Sequence, residues 1–232
     1  MPANKHIRVG IVGCGVVAPF HARAYRTLDN VTITHACDLV EEKARTLAGE
    51  FDIPHRTTDY TAVLDADDVD CVSVCTDHAS HAPISVAALE KGKHVLCEKA
   101  LAATGEGLDA MIDAHERFPD LVFSGVFQHR FDAIYRYVKD LIEQNAFGTI
   151  CTAVLQMQCL RTREYYQGDK WRGTWEQEGG AVMINQAIHF VDILQWIMGG
   201  VEAVSATIAN LTHGTALEAE DTAIAALRLK SG

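Results

Sequence analysis

The sequence has no apolar run approaching the roughly 18 residues that a membrane-spanning helix requires, and it is poor in basic residues. Twenty Lys and Arg stand against 31 Asp and Glu, for a formal net charge of −11. Nucleic-acid and anionic-membrane surfaces need clustered positive charge, so neither partner is expected. The seven cysteines are an odd number with no CxxC spacing and no paired histidine ligands. That pattern argues against a disulfide framework or a metal site and for reduced thiols. No internal repeat or low-complexity tract is visible. The start, MPANKHIRVGIVGCGVVA, resembles a signal peptide only superficially, because its glycines suit a strand and turn. Secretion is rejected and a cytoplasmic location expected.

What is present is enough for two domains: 232 residues, 48% of them hydrophobic, can bury a real core. In the first half, short β-branched runs alternate with helical patterns, the mark of a parallel sheet with crossover helices. IRVGIVG, VTITHACD, VDCVSVCT, HVLCEK and LVFSGVF read as strands. AHARAYRTL, EEKARTLAGEF, APISVAALEKG and GEGLDAMIDAHERF read as the helices between them. After about residue 128 the character changes. FDAIYRYVKDLIEQNAFG reads as a helix closed by Gly148, and TICTAVLQMQCL as a strand longer than any before it. A loop rich in charge and aromatics, RTREYYQGDKWRGTW, leads to an apolar helix, and VEAVSATIANLTH and DTAIAALRLK read as two further strands. The expected fold class is α/β: a doubly wound Rossmann domain over residues 1–125 and an α/β domain over 126–232 with a mostly antiparallel open sheet. A last strand at the end of the sequence suggests that this second sheet is incomplete.

Gly13-Cys14-Gly15-Val16-Val17-Ala18 follows the first strand and opens a helix, a GxGxxA dinucleotide fingerprint. Gly13 is read as the tight turn, Gly15 as the point where a pyrophosphate approaches the backbone, and small Ala18 as the close contact of helix and strand. The helix N-terminus offers unpaired N–H donors to the phosphates. Asp38 ends the second strand, where a carboxylate accepts from ribose hydroxyls and repels a 2′-phosphate, which favours NAD over NADP. A plain turn with Asp38 as a helix cap is the bland alternative.

The helix in GGAVMINQAIHFVDILQWIMGG, residues 179–200, is apolar nearly all round and reads as buried. Yet Asn185, His189 and Asp192 recur four and then three residues apart, in one polar stripe. Glu98 and Lys99 close another strand, at the sheet edge where doubly wound proteins bind ligands. Taken alone, Lys99 is more readily a surface loop lysine.

The combination of GxGxxA, CTDHASH, ALEKGKHVLCEK, FQHRF, WRGTW and GG-x5-Q-x2-H-x2-D resembles the Gfo/Idh/MocA oxidoreductases, the glucose–fructose oxidoreductase and inositol dehydrogenase family. The resemblance runs from about residue 6 to the end. It implies an NAD(P)-dependent dehydrogenase acting on a secondary alcohol of a sugar, polyol or sugar derivative, with NAD favoured. Its second-domain sheet would support a homodimer or tetramer. Lys99 would hydrogen-bond the reacting oxygen, His189 would be the general base, and Asn185 would stand beside it. Thr76, His81, Glu98, Lys99 and Gln128 would join Gly13, Gly15, Val16, Val17 and Asp38 around the cofactor. Arg130 and Asp192 would face the substrate, with Asp192 orienting the His189 ring or capping a structural hydrogen bond. In the loop RTREYYQGDKWRGTW, Trp171 and Arg172 offer an aromatic face and a cationic donor to a substrate, with packing of the loop over its own sheet as the alternative.

Three departures stand out. Ala100 replaces the family proline after the lysine, removing a rigid constraint on that loop. Asn185 stands where sugar-oxidising members commonly carry aspartate, and asparagine cannot ionise. Family members also generally continue beyond residue 232, so a missing sheet edge would expose backbone pairing groups. A non-catalytic NAD-binding homologue, or an inactive fragment of a longer dehydrogenase, is therefore the competing expectation.

Overall fold

The computed structural model describes residues 6–230 and divides into two compact units, one ending at Val126 and the other beginning at Phe127. In the first unit six strands form one sheet: β1 (Ile7–Val12), β2 (Val31–Cys37), β3 (His55–Thr57), β4 (Cys71–Val74), β5 (His94–Cys97) and β6 (Phe123–Gly125). Every pairing is parallel, and the order β3-β2-β1-β4-β5-β6 reverses direction between β1 and β4. Such a sheet is covered on both faces, so its strands need unbroken apolar side chains. Val9, Ile11, Val72, Val74, Val95 and Cys97 are all essentially inaccessible.

The crossovers are α1 (Ala18–Tyr25), α2 (Glu41–Phe51), α3 (Tyr60–Asp65), α4 (His78–Glu90) and α5 (Gly105–Arg117). Their local chemistry explains their ends. Helix α2 starts on Glu41 and Glu42, which suit the positive end of the helix, and buries Ala44, Leu47, Ala48 and Phe51 at helical spacing. The Asp77 carboxylate caps α4 by accepting the Ser80 N–H, and Thr104 caps α5 by accepting the Gly107 N–H. The sequence reading missed β3 and α3. Three residues, His-Arg-Thr, carry no apolar alternation, and α3 has only six residues.

In the second unit α6 (Ala133–Glu143) and α7 (Arg163–Gln167) precede a π-helical stretch, Val182–Ala187, that runs into α8 (Ile188–Met198). Strands β7 (Val201–Ala209) and β8 (Thr222–Leu229) pair antiparallel. Helix α6 stops at Glu143, four residues before the expected stretch ends at Phe147, and Asn145 there takes a left-handed φ of 56°.

Two expectations are corrected. Residues 149–160 form no strand; Val154 is 91% and Leu160 86% exposed, and no strand among the described residues pairs with this segment. β-branched composition makes a strand only where a partner takes up the backbone groups. The helix around residue 190 is also not buried all round: Val191 is exposed and most of its apolar side chains are half-exposed, whereas Asp192 is only 4% exposed. No described helix is long and apolar enough to cross a membrane.

Candidate functional site

Within the first unit the carboxyl ends of β1, β2, β4 and β5 bring most of the expected cofactor residues to one edge. Gly13 has φ +92°, and a Cβ there would lie 2.5 Å from the backbone carbon and oxygen of Cys75. Glycine is therefore required both by the turn and by the contact with the end of β4. A Cβ on Gly15 would meet nothing within 4 Å, so its surface is open where a pyrophosphate is expected. Val16 is 75% exposed, and no side chain caps the N-terminus of α1 at Val17, which leaves donors for a phosphate. Ala18 is fully buried.

Asp38 does structural work too. Its carboxylate accepts the Cys14 N–H at 2.8 Å and the Val40 N–H at 2.8 Å, tying the glycine turn to the end of β2. Each oxygen keeps lone-pair capacity for a ribose hydroxyl. The Cys14 thiol donates to the Cys37 carbonyl, and burial, then the Asp38 charge, pushes it up to about 12. It is a core group and not a nucleophile. All seven cysteines are unpaired.

Glu98 and Lys99 follow β5 directly. The Glu98 carboxylate lies 2.9 Å from His21 Nε2 and accepts the Lys99 N–H at 3.1 Å. Burial pushes this carboxyl up, but the His21 hydrogen bond and charge and the Lys99 contacts outweigh it and hold it below the usual range. Glu98 thus anchors the Lys99 backbone to α1. His21 was not anticipated; its only signal is a lone polar ring in the helix that opens after the glycine turn. The peptide between Lys99 and Ala100 is cis.

His81, expected at the cofactor, is fully buried. Its Nδ1 lies 2.6 Å from the Ala100 carbonyl and its Nε2 3.2 Å from the Thr76 carbonyl, and burial lowers its pKa. A ring with no accessible surface touches no ligand, so its role is corrected to bracing the Thr76 and Lys99 loops from behind. Thr76 itself is half-buried at the end of β4.

In the second unit the polar stripe separates into three contacts. The buried Asn185 amide donates to Glu178 Oε1 and reaches the Tyr165 hydroxyl at 3.5 Å. Glu178, fully buried, also accepts the Gly173 N–H. Asp192 takes Arg130 in a bidentate pair, Nε to Oδ2 at 2.7 Å and Nη2 to Oδ1 at 2.5 Å. Arg130 thus spends its fork on Asp192 inside the unit. His189 is half-buried, with its ring edge-on to His129 at 5.1 Å. Gln128 is exposed in the 3-10 turn that precedes α6.

Arg172 bonds Asp169 at 2.8 Å, donates to the Tyr165 hydroxyl, and covers the Trp171 ring at 4.9 Å. Trp171 and Arg172 are half-buried. A second carboxylate missed in the sequence, Glu220, accepts the Ala181 N–H at 3.1 Å and the Met183 N–H at 2.9 Å, capping the π-helical stretch.

Residues 7–126 match the family model described as "Oxidoreductase family, NAD-binding Rossmann fold", and residues 135–232 match "GFO/IDH/MocA C-terminal domain". The chain belongs to the GFO/IDH/MocA oxidoreductase family. Its first unit is the NAD-binding Rossmann domain of that family. Levoglucosan dehydrogenase of Pseudarthrobacter phenanthrenivorans is 28% identical over 89% of this chain and 55% of its own length. Myo-inositol 2-dehydrogenase of Thermotoga maritima is 27% identical over 97% and 66%. Among solved structures, the WlbA dehydrogenase from Bordetella pertussis, in complex with NADH and UDP-GlcNAcA, superposes with a TM-score of 0.88 at 32% identity, covering 99% of this chain and 65% of that one. The chain thus spans between about half and two thirds of the length of these relatives.

Proposed function

We propose that this protein oxidises a secondary alcohol of a sugar, polyol or sugar derivative, with NAD as the acceptor. The observation that carries the reading is Lys99, anchored through Glu98 and His21 on the same sheet edge as the Gly13 turn and Asp38. Bound NAD would supply the acceptor for the hydride leaving the carbinol carbon. Lys99 then hydrogen-bonds the reacting oxygen, and His189 takes the hydroxyl proton. General base catalysis of this kind contributes about 10²–10⁴-fold. Asn185 holds the helix that carries His189 and takes no proton. The named ligands and substrates of the relatives support a polyhydroxylated ring. Arg130 and Arg172 are engaged by Asp192 and Asp169, which argues for a hydroxyl-rich ring held by hydrogen bonds rather than by an arginine–carboxylate clamp.

Two finer readings belong with this proposal. The exposed Val204 and Ile208, on one face of the β7–β8 pair, support a homodimer or tetramer through that sheet, which sedimentation would measure. Seven unpaired cysteines suit a reducing, cytoplasmic compartment.

The test is formation of reduced nicotinamide with myo-inositol, levoglucosan and UDP-GlcNAcA as substrates, comparing the parent with Lys99→Ala and His189→Ala. The expected result is loss of kcat/KM by about 10²-fold or more in each variant, with NAD⁺ affinity kept in His189→Ala. Full activity in both variants would overturn the assignment. NAD⁺ binding without turnover on any substrate would favour a non-catalytic homologue.

A further inference from the structure

We infer that His35, His55 and Asp68 form a binding site for a divalent transition-metal ion of the zinc type on the β2–β3 flank of the Rossmann sheet. The two histidines are 20 positions apart in sequence, with no recognisable ligand spacing, and the parallel register places them directly opposite each other. Neighbours in parallel register share a face of the sheet, and their rings lie 4.7 Å apart, tilted by 33°. Asp68 arrives from the connection between α3 and β4. Its main-chain carbonyl accepts the Thr34 hydroxyl at 3.0 Å, which fixes the aspartate against β2.

The carboxylate oxygens stand 3.8 Å from His35 Nδ1 and 3.7 Å from His55 Nε2. Those separations are too long for hydrogen bonds, and the three donor atoms lie within 4.8 Å of one another. Around a tetrahedral ion with bonds of about 2.0–2.2 Å, ligand atoms sit roughly 3.3 Å apart. Closing the set therefore asks for no more than about 1.5 Å of side-chain movement on any pair. His35 Nδ1 lies 3.0 Å from Thr34 Oγ1. Because the Thr34 hydroxyl gives its proton to the Asp68 carbonyl, Nδ1 is the donor in this contact. Ligation through Nδ1 moves the proton to Nε2 and exchanges that hydrogen bond for the metal bond.

Two imidazoles and one carboxylate are a donor set for zinc, nickel or cobalt rather than for calcium or magnesium, which take oxygen ligands. His55 and Asp68 keep 57% and 42% of their side-chain surface, so water completes the coordination. The neighbouring Arg8 is neutralised by a two-point contact with Asp70 and does not oppose a cation. Asp38 lies three residues beyond His35, at the end of the same strand, so a bound ion would brace the flank next to the ribose-recognising carboxylate.

The experiment is a calorimetric titration of the full chain with zinc chloride, in a Cys151→Ser/Cys159→Ser background that removes the two exposed thiols. One equivalent should bind with a dissociation constant of about 10 μM or tighter. His55→Ala and Asp68→Asn should each weaken it by at least about tenfold, and zinc should raise the melting temperature of the parent but not of either variant. His55 is more than half exposed, so its truncation leaves the fold intact. Absence of a stoichiometric site, or equal affinity in parent and both variants, would overturn the proposal.

Discussion

Gly13 and Asn185 show how little freedom single positions retain. At Gly13 a methyl group meets the Cys75 backbone and must adopt a left-handed φ. Gly13→Ala is expected to cost at least about 2 kcal/mol and to weaken NAD⁺ binding, read by urea denaturation and by calorimetry. At Asn185 the amide donates to the fully buried Glu178. Placing aspartate there would set two carboxylates together without water. Asn185→Asp should destabilise by on the order of 3 kcal/mol at neutral pH. The loss should shrink toward pH 4, where one of the pair takes a proton; an equal loss at both pH values would show that the two side chains do not face each other. The physical constraint on Asn185 lies seven residues upstream, in a glutamate that no pattern singled out.

At the scale of elements, the connection between β7 and β8 is held by one carboxylate. Asp221 accepts from the N–H groups of Leu211, Thr212 and His213, from the Thr212 and Thr222 hydroxyls, and from the His213 ring. Burial acts to raise it, but those donors outweigh burial and hold it well below the usual carboxylate range. The Asp221 hydrogen bond raises His213, against the effect of burial. A raised histidine stabilises the fold fully below its unfolded value, near 6.5, and the contribution disappears as pH climbs through the higher folded value. A depressed aspartate contributes above about 3.8 and is lost as pH falls toward its folded value. The connection should therefore be most stable between about pH 4 and 6.5, and the protection of the amides at residues 211–213, taken relative to the intrinsic exchange rate at each pH, should fall on either side. His213→Gln should flatten the alkaline limb alone.

The segment 149–160 is an element that composition suggested and pairing denied. With no ladder hydrogen bond to lose, Val154→Pro should change stability by less than about 0.5 kcal/mol, whereas proline within a paired strand costs several times that. A large loss on urea denaturation would mean that the segment is a strand in solution.

At the scale of the molecule, the same exposure makes residues 149–160 the expected first site of limited proteolysis. Brief thermolysin treatment should cut within residues 149–160 and leave the Rossmann domain intact; first cleavage inside residues 7–126 would contradict this. Saturating NAD⁺ should slow loss of the N-terminal fragment and leave the first cut unaffected.

The Rossmann half was legible because each of its units is local. A strand buried on both faces must be a short apolar run, its crossover helix shows its own stripe, and GxGxxA with Asp38 occupies fixed places in that frame. Amino-acid order alone thus determined the fold class, the glycine turn, the strand-end positions of Asp38, Glu98 and Lys99, and the two paired strands β7 and β8. Tertiary structure decided which polar groups meet. The anchoring of Glu98 by His21, the pairing of Arg130 with Asp192, the burial of His81 behind the site and the approach of His35 to His55 all join residues at least 19 positions apart. Such contacts depend on strand order and register in the first unit and on helix packing in the second, and no local periodicity encodes them.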